Sequence, residues 1–174
     1  MKSLNVGCGG TAWGDVRLDI SRVAKPTVIA DAHFLPFRDD SFESTLSSHV
    51  LEHLNRPWQA LDEIIRVTSK RIMLRFPVAE SEYWLFLFNF PTACQLRRTH
   101  AHKWIINPEM VISRLQRNGW LIQTNRKEGM NLLIFFEGGR KARLLRWLTK
   151  RSPVTPIPWQ CVITASKEKQ HALS

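Results

Sequence analysis

His49, His53, His100 and His102 are the residues whose type suits proton transfer near neutral pH, since histidine alone carries an unperturbed pKa in that range. His49 and His53 share one short segment, Ser48-His49-Val50-Leu51-Glu52-His53-Leu54, and are the candidates for a catalytic base. For His53, an orienting or packing role in this turn competes with catalysis. His100 and His102 alternate as they would on a strand, but no third ligand of the right type accompanies them, so no metal site is expected. Asp19 and Asp31 are carboxylates placed to accept hydrogen bonds from a polar ligand. The run Asn5-Val6-Gly7-Cys8-Gly9-Gly10 is a turn in which residues without side chains let the backbone approach a ligand closely.

The elements that position these residues follow from the apolar pattern. Residues 4–6, 16–20, 27–30, 42–47 and 72–76 are short, apolar and bounded by Gly, Pro, Asp or Ser, as strands are. Residues 57–67 repeat Trp58, Leu61, Ile64 and Ile65 at helical spacing, with Pro57 suited to a first turn. Asn107 as cap, Pro108 as first residue and Gly119 as stop mark a second helix. Residues 120–124, 132–137 and 159–164 read as later strands. Alternation of strands with helical or loop crossovers predicts an α/β fold with a mainly parallel sheet, buried on both faces and flanked by helices. In such a sheet a ligand binds outside the carboxyl ends of the strands, where strand order reverses. Gly7 and Gly9, Asp19, Asp31 with Ala32, and Ser48 with His49 each follow one of these strands.

The length of 174 residues suits one domain, with a long insertion at about 78–104 and a basic segment at about 139–151. The N-terminal residues lack a secretory pattern and no stretch approaches the ~20 apolar residues of a membrane span, so the expected location is cytoplasmic, with peripheral membrane attachment as a variant. Three widely spaced cysteines imply neither a disulfide framework nor a zinc pattern. The net charge of +10 is concentrated: residues 97–151 hold 13 Lys or Arg against Glu109, Glu128 and Glu137. An anionic partner is therefore expected, whether RNA, anionic lipid or a phosphorylated substrate.

The ordered set comprises a Gly-rich turn, an acid after the second strand, Asp-Ala after the third, then Leu35-Pro36-Phe37, Asp40-Ser41-Phe42 and the segment from Ser48 to Leu54. It resembles the class I S-adenosylmethionine-dependent methyltransferases, in particular the small "type 11" group. The resemblance covers residues 4–77 and returns at 102–120. It implies a Rossmann-like sheet and S-adenosyl-L-methionine as cofactor. Asn5 and Cys8 would be part of the cofactor site, Gly7 and Gly9 would underlie its methionine part, Asp19 would hold the ribose, and Asp31 and Ala32 would contact adenine. Ser48 and His49 would flank the sulfonium and face the acceptor. The sequence departs from the family in its shortened early crossovers: Gly9 and Asp19 are too close for an intervening helix of normal length.

The acceptor must be read from the insertion, where Tyr83, Trp84, Phe86, Phe88 and Phe90 precede Arg97 and Arg98. Such a run suits a small or lipid-like acceptor, or stacking on RNA bases, with the basic segment resting on an anionic surface. It serves equally to complete a core over the cofactor. A non-catalytic domain binding RNA or lipid, and an RNA methyltransferase, are the alternatives. A nicotinamide-dependent oxidoreductase is disfavoured because Ala12 stands where a third Gly is expected.

Overall fold

The computed structural model describes residues 2–80, 102–130 and 157–167. Seven strands form one sheet: β1 (Ser3–Val6), β2 (Val16–Asp19), β3 (Val28–Ile29), β4 (Phe42–Ser48), β5 (Thr68–Pro77), β6 (Leu121–Met130) and β7 (Ile157–Ser166). Their order is β3-β2-β1-β4-β5-β7-β6. The first five run parallel, and β7 runs antiparallel between β5 and β6. Two α-helices, α1 (Pro57–Val67) and α2 (Pro108–Arg117), and two single-turn 3-10 helices, Arg22–Ala24 and Leu51–His53, lie among the described residues. The expected strand at 132–137 and the basic segment at 139–151 lie outside them, as does most of the insertion at 78–104.

The boundaries of α2 follow its capping chemistry. The Asn107 side chain accepts from the Glu109 amide at 2.9 Å, and Gly119 adopts φ +77° just past the last turn. Leu61 and Ile64 of α1 and Val111 and Leu115 of α2 are fully buried in one core with Leu4, Val6, Ile72, Leu74, Ile163 and Ala165 of the sheet. Arg114 clasps Asp62 with two hydrogen bonds, at 2.5 Å each, and so ties α2 to α1.

The two faces of the sheet differ in composition among the described residues, although Leu46 and Val162 are buried apolar side chains on the face away from α1 and α2. In the register Leu4↔Val16, Asn5↔Arg17, Val6↔Leu18, residues of like direction pair, so Leu4, Val6 and Leu18 face the helices while Asn5 and Arg17 face the other way. The same alternation puts Ile72 and Leu74 on the helix side and Arg71 and Arg75 opposite. Helices α1 and α2 thus pack against the same face.

Polar bonding takes the place of a first helix. From β1 to β2 the chain runs through residues 7–15 with no helical turn. Asp15 accepts from the amide and the hydroxyl of Ser3, each at 2.7 Å, and the Asn5 side-chain amide donates to the Trp13 carbonyl at 3.1 Å. Gly14, at φ +99°, passes so close to Asn5 and the Val16 carbonyl that a Cβ would lie 3.2 Å from each. The shortened crossover expected from sequence is therefore a fastened loop.

Candidate functional site

The sheet's order reverses between β1 and β4, and a cleft of about 490 Å³ opens there. It is lined by Gly7, Gly9, Asp19, Asp31, Ala32, His49 and His53, together with Leu18, Ile20, His33, Val50, Leu54 and Lys103. Its size falls within the ~300–1,000 Å³ usual for small-molecule sites. Seven of the ten residues expected at the site thus share one cavity.

Gly7 and Gly9 have φ of +65° and +49°. A Cβ on Gly7 would lie 2.3 Å from Cγ2 of Val50, so glycine is what lets the turn lie against the end of β4. Asp19 Oδ2 accepts from the Gly9 amide at 2.9 Å and Oδ1 from the Ser21 amide at 2.8 Å. Each carboxylate oxygen accepts two bonds, so Asp19 keeps capacity for two more donors beside the turn. Asp31 Oδ1 takes both the His33 amide, at 2.9 Å, and His33 Nδ1, at 2.5 Å, which holds its carboxyl below the usual range and leaves Oδ2 for a further donor. His33 Nε2 accepts from the Arg56 amide at 3.2 Å, so the ring proton sits on Nδ1.

His49 adopts φ +56°, a left-handed conformation that a non-glycine residue takes at a cost and that points to a constrained site. Its Nε2 lies 2.8 Å from Gln160 Oε1, and its Nδ1 lies 3.2 Å from Glu52 Oε1. Gln160 donates in turn to Glu128 at 2.6 Å, which fixes the amide so that its oxygen faces His49. The carboxylate of Glu52, with a smaller contribution from Gln160, raises the pKa of His49 and favours the imidazolium.

Three expected residues lie elsewhere. Asn5 is buried and braces the β1–β2 loop from behind. Cys8 is buried too, and loss of solvent pushes its thiol pKa up. Ser48 is half-buried at the end of β4 and is not among the residues that line the cleft. His100 lies outside the described residues.

Sequence reasoning missed four site residues: His33, Glu52, Lys103 and Gln160. His33 is signalled by its place two residues after Asp31, where a side chain can fold back on the carboxylate. Lys103 is carried in by backbone bonds, since the amides of Lys103 and Trp104 both donate to the Glu52 carbonyl, at 2.7 and 3.2 Å. The same bonds bring His102 to His53, their ring centroids 4.8 Å apart. A carboxylate oxygen of Glu52 lies within 4.8 Å of a ring nitrogen of each, so His102 has the neighbouring ligands that its sequence surroundings do not reveal.

Residues 4–71 match the family model described as a methyltransferase domain. An uncharacterized methyltransferase of Mycobacterium tuberculosis is 54% identical over 42 residues, which are 24% of this chain and 16% of that protein. The match thus spans less than a fifth of the relative's length. Among solved structures, a SAM-dependent methyltransferase from Archaeoglobus fulgidus superposes with a TM-score of 0.63 at 20% identity, over 95% of this chain and 85% of the other. An S-adenosylmethionine-dependent methyltransferase from Mesorhizobium loti gives a TM-score of 0.63 at 13% identity, over 95% and 90%. At these identities the likeness establishes the fold.

Proposed function

We propose that this chain, whose residues 4–71 match the methyltransferase-domain family model, binds S-adenosylmethionine in the β1–β4 cleft and transfers its methyl group to a small-molecule acceptor. The observation that carries the reading is the joined turn and acid: Gly9 donates to Asp19 while Gly7 lies against Val50. That arrangement offers a bare backbone for the amino-acid end of the cofactor and a carboxylate with spare acceptor capacity for the ribose hydroxyls beside it. Asp31 Oδ2 would take the adenine amino group, and Ala32 would contact the ring. A dinucleotide cofactor fits less well, because its pyrophosphate calls for a helix N-terminus after the turn, and residues 7–15 hold no helix.

When bound, the cofactor supplies a methyl group activated by its sulfonium, so alignment of the acceptor is the protein's main task. His49, with one ring nitrogen bonded to Gln160 and the other beside Glu52, is held rigidly in the cleft wall. We assign it to positioning, because neither nitrogen is free to take a proton from an acceptor. His53 lines the same cleft. The preference for a small or lipid-like acceptor rests on the aromatic and basic runs of the sequence.

Calorimetric titration with S-adenosylmethionine and S-adenosylhomocysteine, with NADH as control, tests the reading. Micromolar binding of the first two is expected, with a loss of about tenfold or more in Asp19→Ala, which removes charged hydrogen bonds worth about 1.5–3 kcal/mol each. Binding that Asp19→Ala leaves unchanged would overturn the site. Absence of binding, with salt-sensitive retention of RNA or anionic vesicles, would favour the non-catalytic alternative.

A further inference from the structure

The side chain of Glu52 is 1% exposed, and among the described residues neither of its oxygens has a hydrogen-bond partner of good geometry. A buried carboxylate without such partners is costly unless a cation lies beside it. His49 Nδ1, 3.2 Å from Oε1, meets part of that need. His53 Nε2 is 4.0 Å from the same oxygen, and one ligand atom each from Glu52, His53 and His102 lies within 4.8 Å of the others. The rings of His53 and His102 meet at 63°, so they do not stack face to face.

We propose that Glu52, His53 and His102 bind a divalent transition-metal ion of the zinc or manganese kind. Two imidazoles and one carboxylate are the donor set such ions favour over magnesium or calcium, and three protein ligands leave a coordination position open. Bonds of ~2.1 Å put tetrahedral ligand atoms ~3.4 Å apart, so the three side chains need to draw in by about 1 Å. The backbone is already fastened for this. The amides of Lys103 and Trp104 grip the Glu52 carbonyl, Trp104 Nε1 donates to the Leu54 carbonyl at 2.9 Å, and Lys103 Nζ donates to Asn55 at 2.7 Å. His49, with Nδ1 3.2 Å from Oε1 of Glu52, would orient the ligand carboxylate as outer partners of metal sites do.

Because His53 also lines the cleft, the open position adjoins the acceptor end. There the ion would hold an acceptor hydroxyl or carboxylate oxygen and lower the pKa of a bound hydroxyl, which removes the need for a protein base. This role, unlike the binding itself, rests on the methyltransferase reading.

The test is titration of the chelator-treated full chain with Zn2+ and Mn2+, and with Mg2+ as control, followed by calorimetry and thermal unfolding. One equivalent of Zn2+ or Mn2+ should bind and raise the melting temperature. Affinity should fall by about tenfold or more in His102→Ala and in Glu52→Gln. His102 is half-buried, so its alanine variant should keep the fold, and unaltered S-adenosylhomocysteine affinity in that variant confirms it. No ion binding by the wild-type chain, or equal binding by His102→Ala, overturns the proposal. Ion binding without cofactor binding upholds the metal site and overturns the methyltransferase reading; cofactor binding without ion binding does the reverse.

Discussion

Gly7 and Val50 meet where the first strand's turn crosses the end of the fourth, and the contact allows no added atom. An alanine at position 7 must both hold φ near +65° and place its Cβ 2.3 Å from a Val50 methyl. The methyl belongs to a β-branched side chain with little freedom at χ1, so it cannot swing away cheaply. Gly7→Ala should therefore cost about 2–4 kcal/mol, combining left-handed strain with overpacking. Val50→Ala in the same chain should recover the packing share and leave the backbone share. Urea unfolding of the two variants measures each part. Equal stabilities for the single and double variants would show that the contact is not the constraint. His49 differs, since its positive φ carries no glycine; its strain is opposed by bonds to Arg75 O through its amide and to Gln160 through its ring.

At the scale of elements, α1 does more than connect two strands. Its Arg66 donates to Glu63, to Asp39 and to the carbonyls of Leu35 and Phe37, while Glu63 accepts from the Leu35 amide at 2.8 Å. The helix thereby fastens the segment after Asp31 and Ala32 that bounds one end of the cleft. The paired Arg66 holds the Glu63 carboxyl below its ordinary value of 4.5. A lowered carboxylate pKa stabilises the folded state above the unfolded value and loses that share as pH falls through the folded one. Glu63→Gln should thus cost about 1–2 kcal/mol at neutral pH, and the gap to wild type should close below about pH 4. A gap that does not change with pH would assign the effect to packing. The helix itself, the Gly-rich turn and both acids are legible in the sequence, because in a parallel sheet the residues after successive strands converge on one edge. Glu52 as a buried carboxylate facing His49 and His53 is not, since its burial depends on how residues 102–104 return across the turn. Nor is the polar outer face of β1 and β2, because four-residue strands are too short to separate alternation from a continuous apolar run.

Over the whole molecule, the late strand β7 completes both the sheet and the site. It enters antiparallel between β5 and β6, and its Cys161, Ile163 and Ala165 are fully buried against the helices. It also carries Gln160 to His49, 111 residues earlier in the chain, a pairing that sequence spacing cannot announce. Removing β7 would leave β5 and β6 with unpaired backbone groups on facing edges and expose the core between them, a loss comparable with the ~5–15 kcal/mol that holds a domain folded. A chain ending at residue 156 should therefore show no cooperative thermal transition. Gln160→Leu makes the complementary test: Gln160 is half-buried, so the variant should melt within a few degrees of wild type while the His49 ring resonances move. If the shortened chain still melts cooperatively, β7 is an accessory strand. If Gln160→Leu leaves His49 unmoved, Glu52 alone sets the ring, and the site then depends only on the first half of the chain and the residues that return at 102–104.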